Sequence, residues 1–278
     1  MRNKCLYLPD DVGASYHNPG LRIAMQSESM IAAKVRCPSC GGKLEQLPMN
    51  RAVADLRCTT DGCGETFQVK SVPSRHSQII VGGDYVTTIT ATITGTHANV
   101  AVLTHDGSGA VTDLWIAPRG AIGLSCIRPR PNRLGAHCHR PGTWLSYWDL
   151  RLVPKRARVQ IIHRGIQKPH QLIAKEWERI ATDYPVVIDE DMAQAVNTIF
   201  RFVKRGDLFT TANVRAYLSV DDLSHQSWAW DEQSIRRAIR NLTELGVIDV
   251  VELGVYRLAP TRHQVQRGYA GRMKKIAV

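Results

Sequence analysis

Four cysteines in a short stretch, Cys37-Pro-Ser-Cys40 followed by Cys58 and Cys63 in "CTTDGC", constrain this chain more than any other feature. Each pair can turn two thiolates onto one tetrahedral ion, and the 17 residues between the pairs let the chain loop back. The pattern is close to that of a four-cysteine zinc site. An ion with four sulfur ligands has no open coordination position, so this zinc serves structure and not turnover. Seven cysteines is an odd number, and four in close pairs argue for metal ligation in a reducing compartment over a disulfide framework. Cys5, Cys126 and Cys138 read as small apolar fillers.

A second pattern is threaded through the first. Asp55 stands just before Cys58, and Gln68-Val-Lys70 follows Cys63. If "RAVADLRC" and "ETFQVKS" are paired strands, the cysteines sit at their connection, and Gln68 and Lys70, two apart on one strand, face the same side. Phosphodiester hydrolysis needs a divalent cation to polarise the phosphate and lower the pKa of a water, with a cation or base near that water. In such a site Asp55 would anchor magnesium, the Gln68 amide oxygen would be a neutral second ligand, and Lys70 would position or activate the water. Taken alone, the pattern also fits a solvated strand edge carrying Gln and Lys.

The chain of 278 residues is long enough for two domains, and 36 lysines and arginines against 25 acids leave a charge of +11 that favours a polyanionic partner. No apolar run is long enough to cross a bilayer and the N-terminal residues lack an apolar secretion core, so the expectation is a cytoplasmic protein without a membrane span. The spacing of Ile23, Met30, Ile31 and Val35 predicts a helix over 21–36. "YVTTITATITG", "NVAVLTHD" and "VTDLWIAP" read as strands, being β-branched and bounded by turn residues. "RPRPNRLGAHCHR" (128–140) reads as a basic surface loop, and its His137 and His139 suit contact with DNA better than a second metal. "WLSYWDLRLVPKRARVQII" leads into a linker-like segment with a short helix at "QLIAKEWERIATDY".

The chain changes character near residue 185, which divides it into a domain over 1–184 and a second over 185–278. "DEDMAQAVNTIFRFVKRG", "TTANVRAYL" and "WDEQSIRRAIRNLTELG" predict three helices, and "VIDVVELGVYRL" two strands around a turn, the order of a winged helix-turn-helix. On the third helix Ile235, Ala238, Ile239, Leu242 and Leu245 form the apolar stripe, while Gln233, Arg236, Arg237 and Arg240 lie off it. Arginine suits guanine and glutamine suits adenine in a major groove. Arg257 in the hairpin and the tail "RGYAGRMKK" offer phosphate contacts.

"SESMIAAKVRCPSCGG", "NRAVADLRC", "GETFQVKS" and "GTWLSYWDLRLVP", with the tail "IRRAIRNLTELGVIDVVELGVYRL", resemble the DpnI-like methyladenine-dependent restriction endonucleases in the same order along most of the chain. The resemblance implies an α/β nuclease domain of the PD-(D/E)xK class with an embedded zinc site, followed by an α+β winged helix. It further implies Mg2+ and Zn2+ as cofactors and double-stranded DNA methylated at adenine in GATC as the substrate. Asp55 and Lys70 take the family's nuclease positions and the four cysteines its zinc positions. Two departures stand out: the family has Glu where this chain has Gln68, and four residues separate Cys58 from Cys63 where the family has two. Glu65 and Glu28 are candidates for the missing charge. An apolar surface is needed for the adenine N-methyl group, and Trp144, or else Trp148, can supply it. The competing reading from another class is a non-catalytic regulator in which a zinc ribbon and a winged helix bind DNA.

Overall fold

In the computed structural model, residues 6–48, 54–73, 78–130, 145–203, 207–221 and 232–258 are described. The chain separates into two compact units, one spanning 1–129 and 146–187 and the other holding the chain from 188 onward.

The first unit opens with helix α1 (Pro19–Lys34), which starts where the Asn18 side chain accepts the Gly20 N–H and proline occupies the first turn. Short strands β1 (Leu44–Gln46) and β2 (Leu56–Cys58) lead into β3 (Thr66–Val72). Next come β4 (Ile79–Asp84), helix α2 (Tyr85–Ile93), β5 (Asn99–His105), β6 (Val111–Ala117), β7 (Ile127–Pro129) and β8 (Leu145–Asp149). Strands β9 (Val159–His163) and β10 (Ile166–Gln167) and helix α3 (His170–Asp183) close the unit. Seven strands form one sheet in the order β1-β2-β3-β5-β6-β9-β10, in which only β3 and β5 run parallel. A parallel pair requires a crossover, here supplied by β4 and α2. Strands β4, β8 and β7 make a separate three-stranded sheet.

Alternation along β3 divides its side chains. Phe67 and Val69 join the core that α1 and α3 build over the large sheet with Met30, Ile31, Ile173, Trp177 and Ile180, the Phe67 and Trp177 rings lying 6.4 Å apart. Gln68 and Lys70 point to the opposite side and are nonetheless buried. A polar pair kept on an interior strand in this way is costly unless its groups are used.

Two expectations fail here. "YVTTITATITG" is not a strand but α2. Asp84 caps it by accepting the Thr87 N–H at 2.8 Å, and the hydroxyls of Thr88, Thr92 and Thr94 donate to the carbonyls four residues back, at 2.7 to 3.0 Å. Tyr85, Ile89 and Ile93 then share one buried stripe at helical spacing, which outweighs the β propensity of the threonines. Arg128, assigned to the basic loop, instead pairs with Tyr147 in the β7–β8 ladder. The run "RVQII", to which sequence reading gives no element, contributes β9, buried between β6 and β10 in the sheet.

The second unit contains helix α4 (Glu190–Phe202), strand β11 (Leu208–Thr210), helices α5 (Thr211–Asp221) and α6 (Glu232–Glu244), and strands β12 (Ile248–Glu252) and β13 (Val255–Leu258). Asp189 caps α4 through the Met192 N–H. Its core gathers Met192, Ala195, Val196 and Ile199 with Val214 and with Ile235, Ala238, Ile239 and Leu242 of α6. The hairpin β12–β13 gains a third strand that sequence reading does not find, because β11 is only three residues long; Phe209 pairs with Tyr256 there, rings 5.8 Å apart. Among the described residues, no helix is long and apolar enough to cross a membrane.

Candidate metal and nuclease centre

The four cysteine sulfurs converge, all within 4.8 Å of one another, with Cys37 Sγ to Cys63 Sγ at 3.8 Å and Cys40 Sγ to Cys58 Sγ at 3.4 Å. Zn–S bonds of about 2.3 Å at tetrahedral angles put sulfurs about 3.8 Å apart, so the set fits a closed four-thiolate zinc ion. The longer turn between Cys58 and Cys63 does not prevent convergence. The backbone assists: Gly41 N–H donates to the Cys37 carbonyl at 2.9 Å, and the N–H groups of Gly42 and Thr60 point at the sulfurs of Cys40 and Cys58, each at 3.4 Å. A Cβ on Gly42 would lie 1.9 Å from the Thr60 hydroxyl and 3.0 Å from Cys58 Sγ, so a side chain there would have to displace Thr60. Burial pushes the Cys37 and Cys63 thiols up. It acts on Cys40 too, but hydrogen bonds from Thr60, Gly42 and the neighbouring thiols outweigh it and bring that thiol to about 6. A bound cation would let four thiolates share so small a space.

This cluster clips together the two strands that carry the acid and the lysine. Strand β2 pairs with β3 only through Leu56↔Phe67 and Arg57↔Thr66, ending at Cys58. Asp55, immediately before β2, donates its N–H to the Phe67 carbonyl, and its Oδ2 accepts the Val69 N–H at 2.7 Å. The carboxylate thus takes the place of a ladder partner where the two strands part. Gln68 and Lys70 flank that Val69 on β3, each 8 % exposed. Glu28 joins from α1, its Oε2 accepting from Gln46 Nε2 of β1 at 2.7 Å.

Electrostatically these groups form one set. Burial raises the Asp55 carboxyl, opposed by the Lys70 charge and the Val69 N–H. Burial lowers Lys70, opposed by Asp55 and Glu28. Glu28 is pushed up to about 7 by burial first and then by the Asp55 charge, against the Gln46 hydrogen bond and Lys70. Two desolvated carboxyls beside a single ammonium favour a bound cation, and a lysine drawn toward neutrality suits proton transfer.

The remaining sequence candidates fall as follows. Glu65 is committed elsewhere, its Oε2 accepting from Arg119 at 2.9 Å and from Asn99 at 2.6 Å. Trp148 is 1 % exposed, with the Lys70 ammonium 5.6 Å from its ring centroid, so it covers the lysine from inside the unit and presents no surface to a base. Gly82 makes that fit possible: a Cβ there would meet Trp148 Nε1 at 2.3 Å. Trp144, His137, Cys138, His139 and Cys5 lie outside the described residues. Cys126 is buried, as a filler would be. Sequence reading misses Gln46 and the contact of Lys70 with Trp148, for which no local pattern exists.

On α6, Gln233, Arg236, Arg237 and Arg240 are exposed, opposite the buried Ile235, Ala238, Ile239 and Leu242. A groove beside them is lined by Arg236, Arg240, Thr243, Leu253 and Tyr256. Arg257 does not serve as a hairpin phosphate contact, because it is four-fifths buried and faces Asp249 at 4.0 Å.

No curated protein matches the chain. The profile of the DpnI family, described as the Dam-replacing family, matches residues 5–182, which takes in the whole cysteine cluster together with Glu28, Asp55, Gln68 and Lys70. With nearly two thirds of the chain inside that match, the protein belongs to the DpnI family of restriction endonucleases.

Proposed function

We propose that the protein is a magnesium-dependent type II restriction endonuclease that hydrolyses double-stranded DNA at adenine-methylated GATC, with a PD-(D/E)xK-type nuclease domain over 1–184 and a winged helix over 185–278. The observation that carries this reading is the meeting of Asp55, Gln68 and Lys70 where β2 and β3 part, inside the stretch matched by the family.

Hard oxygen donors suit magnesium, and the free Asp55 oxygen and the Gln68 amide oxygen would hold it. When bound, the ion polarises the scissile phosphate and acidifies a water. Asp55 keeps its carboxylate oriented through the Val69 N–H, so no reorganisation is needed when phosphate arrives. Lys70, pulled down by its burial, orients the attacking water and can take its proton, while Trp148 keeps bulk solvent off the ammonium stem. The zinc clip holds the strand pair in register. On DNA, α6 would enter the major groove with Gln233, Arg236, Arg237 and Arg240, and Trp144 would offer the apolar face for the adenine methyl group.

The reading is tested by digesting plasmid prepared from hosts with and without GATC adenine methylation, in the presence of magnesium. Cutting of the methylated plasmid alone is expected. Equal digestion of both refutes the specificity, and no digestion of either, with DNA still bound, favours the non-catalytic regulator, a reading to which the neutral Gln68 lends its one support.

A further inference from the structure

The positive charge of the chain is not spread evenly. From Leu114 to Lys175 twelve lysines and arginines stand against one acid, Asp149, a balance equal to the +11 of the whole chain, so the rest of the sequence is neutral overall. Residues 185–278, which include α6, hold thirteen lysines and arginines against eleven acids, so the long-range attraction for a polyanion comes chiefly from the central segment.

Within that segment the lone acid gathers two arginines. Asp149 closes β8 with its side chain 7 % exposed; its Oδ1 accepts from Arg151 Nε at 2.8 Å and its Oδ2 from Arg151 Nη2 at 2.6 Å. Arg128 of β7 brings its Nη2 to 3.8 Å from the same Oδ2. The side chains of Arg128 and Arg151 nevertheless stay 51 % and 58 % exposed, and Asp149 is the only ion-pair partner of either among the described residues. The backbone beneath them is fixed. Arg128 pairs with Tyr147 and Ile127 with Trp148 in the β7–β8 ladder, and the Leu150 N–H donates to the Gln78 carbonyl at 2.8 Å. The Arg151 hydrogen bond, first among the causes, holds the Asp149 carboxyl down at about 2, so this tether stays ionised through the neutral range.

Two guanidiniums over one buried carboxylate leave one positive charge in excess. Donors are left over as well, since Arg151 turns only Nε and Nη2 toward Asp149 and a guanidinium carries five N–H groups. A fork already held in place loses little side-chain freedom on meeting a ligand, and its planar donors match a phosphate. The pair also stands close to the nuclease centre: Trp148, the residue before Asp149, has the Lys70 ammonium 5.6 Å from its ring centroid.

We infer that Arg128 and Arg151 clamp one backbone phosphate of the duplex, giving the nuclease unit a sequence-independent grip on DNA. The inference rests on the reading of the chain as a DNA enzyme, and adds to it a contact surface outside both the acid-amide-lysine set and α6. The ligand is a phosphodiester, whose single negative charge the excess charge of the pair neutralises.

The test is duplex binding by fluorescence anisotropy on the full, zinc-loaded chain without magnesium, over a series of salt concentrations, with circular dichroism to verify folding. Two duplexes are compared, one with adenine-methylated GATC and one of scrambled sequence. Arg128→Gln combined with Arg151→Gln keeps amide donors for Asp149. It is expected to weaken binding to both duplexes by the same factor, roughly tenfold, and to reduce the slope of log affinity against log salt by about one. Arg128→Lys combined with Arg151→Lys is expected to keep the wild-type slope but not the full affinity, because lysine retains the charge and loses the fork. Should the double glutamine variant fail to fold, Arg128→Gln alone carries the test with a smaller effect of the same kind, since Arg128 stands 3.8 Å from Asp149 and does little to hold it. An unchanged slope in the folded variant, or a loss confined to the methylated duplex, overturns the inference. Magnesium-dependent cleavage of methylated plasmid by the same preparations separates the two levels. A wild type that binds through the pair but does not cut sinks the nuclease reading and leaves the clamp; a wild type that cuts, beside a double glutamine variant that binds as tightly, sinks the clamp alone. A wild type that binds neither duplex at low salt sinks both.

Discussion

The tightest constraint at the scale of single residues is burial of charge. Asp55, Glu28 and Lys70 are all displaced toward their neutral forms, first of all by burial. For Glu28 the sign is definite. Its pKa in the folded chain, about 7, lies above the ordinary 4.5, so the folded state holds the extra proton. The stability that this proton contributes is complete below the unfolded value and is lost as pH rises toward 7. A cation reverses the balance by favouring the ionised form. The rise in melting temperature on adding magnesium should therefore grow between about pH 6 and about pH 8 in the wild type, and that growth should shrink markedly in Glu28→Gln, as differential scanning fluorimetry would record. The order of this set, an acid before one strand and Gln-x-Lys on the next, is legible in the sequence only with the family resemblance beside it, since alone it also fits a solvated strand edge. The role of Gln46 is not, because its relation to Glu28 depends on how β1 packs beside α1, which no local spacing encodes.

Among the elements, the four-cysteine cluster and the β2–β3 pair are expected to stand or fall together, since Cys58 ends β2. The pair has only two rungs of register, too few to hold by itself, and the cysteines close it at Cys58. Cys40→Ser should remove zinc, lower the melting temperature by roughly 10 °C or more and abolish cleavage in step, measured by metal analysis alongside thermal unfolding. The cysteine spacing makes this element readable, because thiolate geometry leaves few alternatives. By contrast α2 reads as a strand, since threonine hydroxyls that bond back to the carbonyls four residues earlier make β-branched residues tolerable in a helix, and sequence alone does not reveal those bonds. Strand β9 escapes detection because a five-residue run buried in the sheet shows no alternation. The helices of the second unit are legible from the stripe of α6, whose apolar positions are the buried ones.

Taken as a whole molecule, the chain divides its proposed labour between a unit that carries the acid, the amide and the lysine and a unit that presents arginines on one helix. Replacing Arg236 and Arg240 by alanine in the full chain should weaken DNA binding with little change in folding, since both are exposed, and should reduce the salt dependence of the affinity by about one for each phosphate left unneutralised. A variant that binds more weakly without that change in slope would point to base recognition in place of phosphate recognition. In the proposed division, DNA is cut at Asp55 and recognised elsewhere. The most direct measurement pairs two assays on one folded variant, Asp55→Ala: cleavage of GATC-methylated plasmid with magnesium, and binding to a methylated duplex without it. Cutting is expected to disappear while binding stays within about threefold of wild type, because the carboxylate would serve the cation and not the base edges. Cleavage at the wild-type rate by Asp55→Ala would contradict that division.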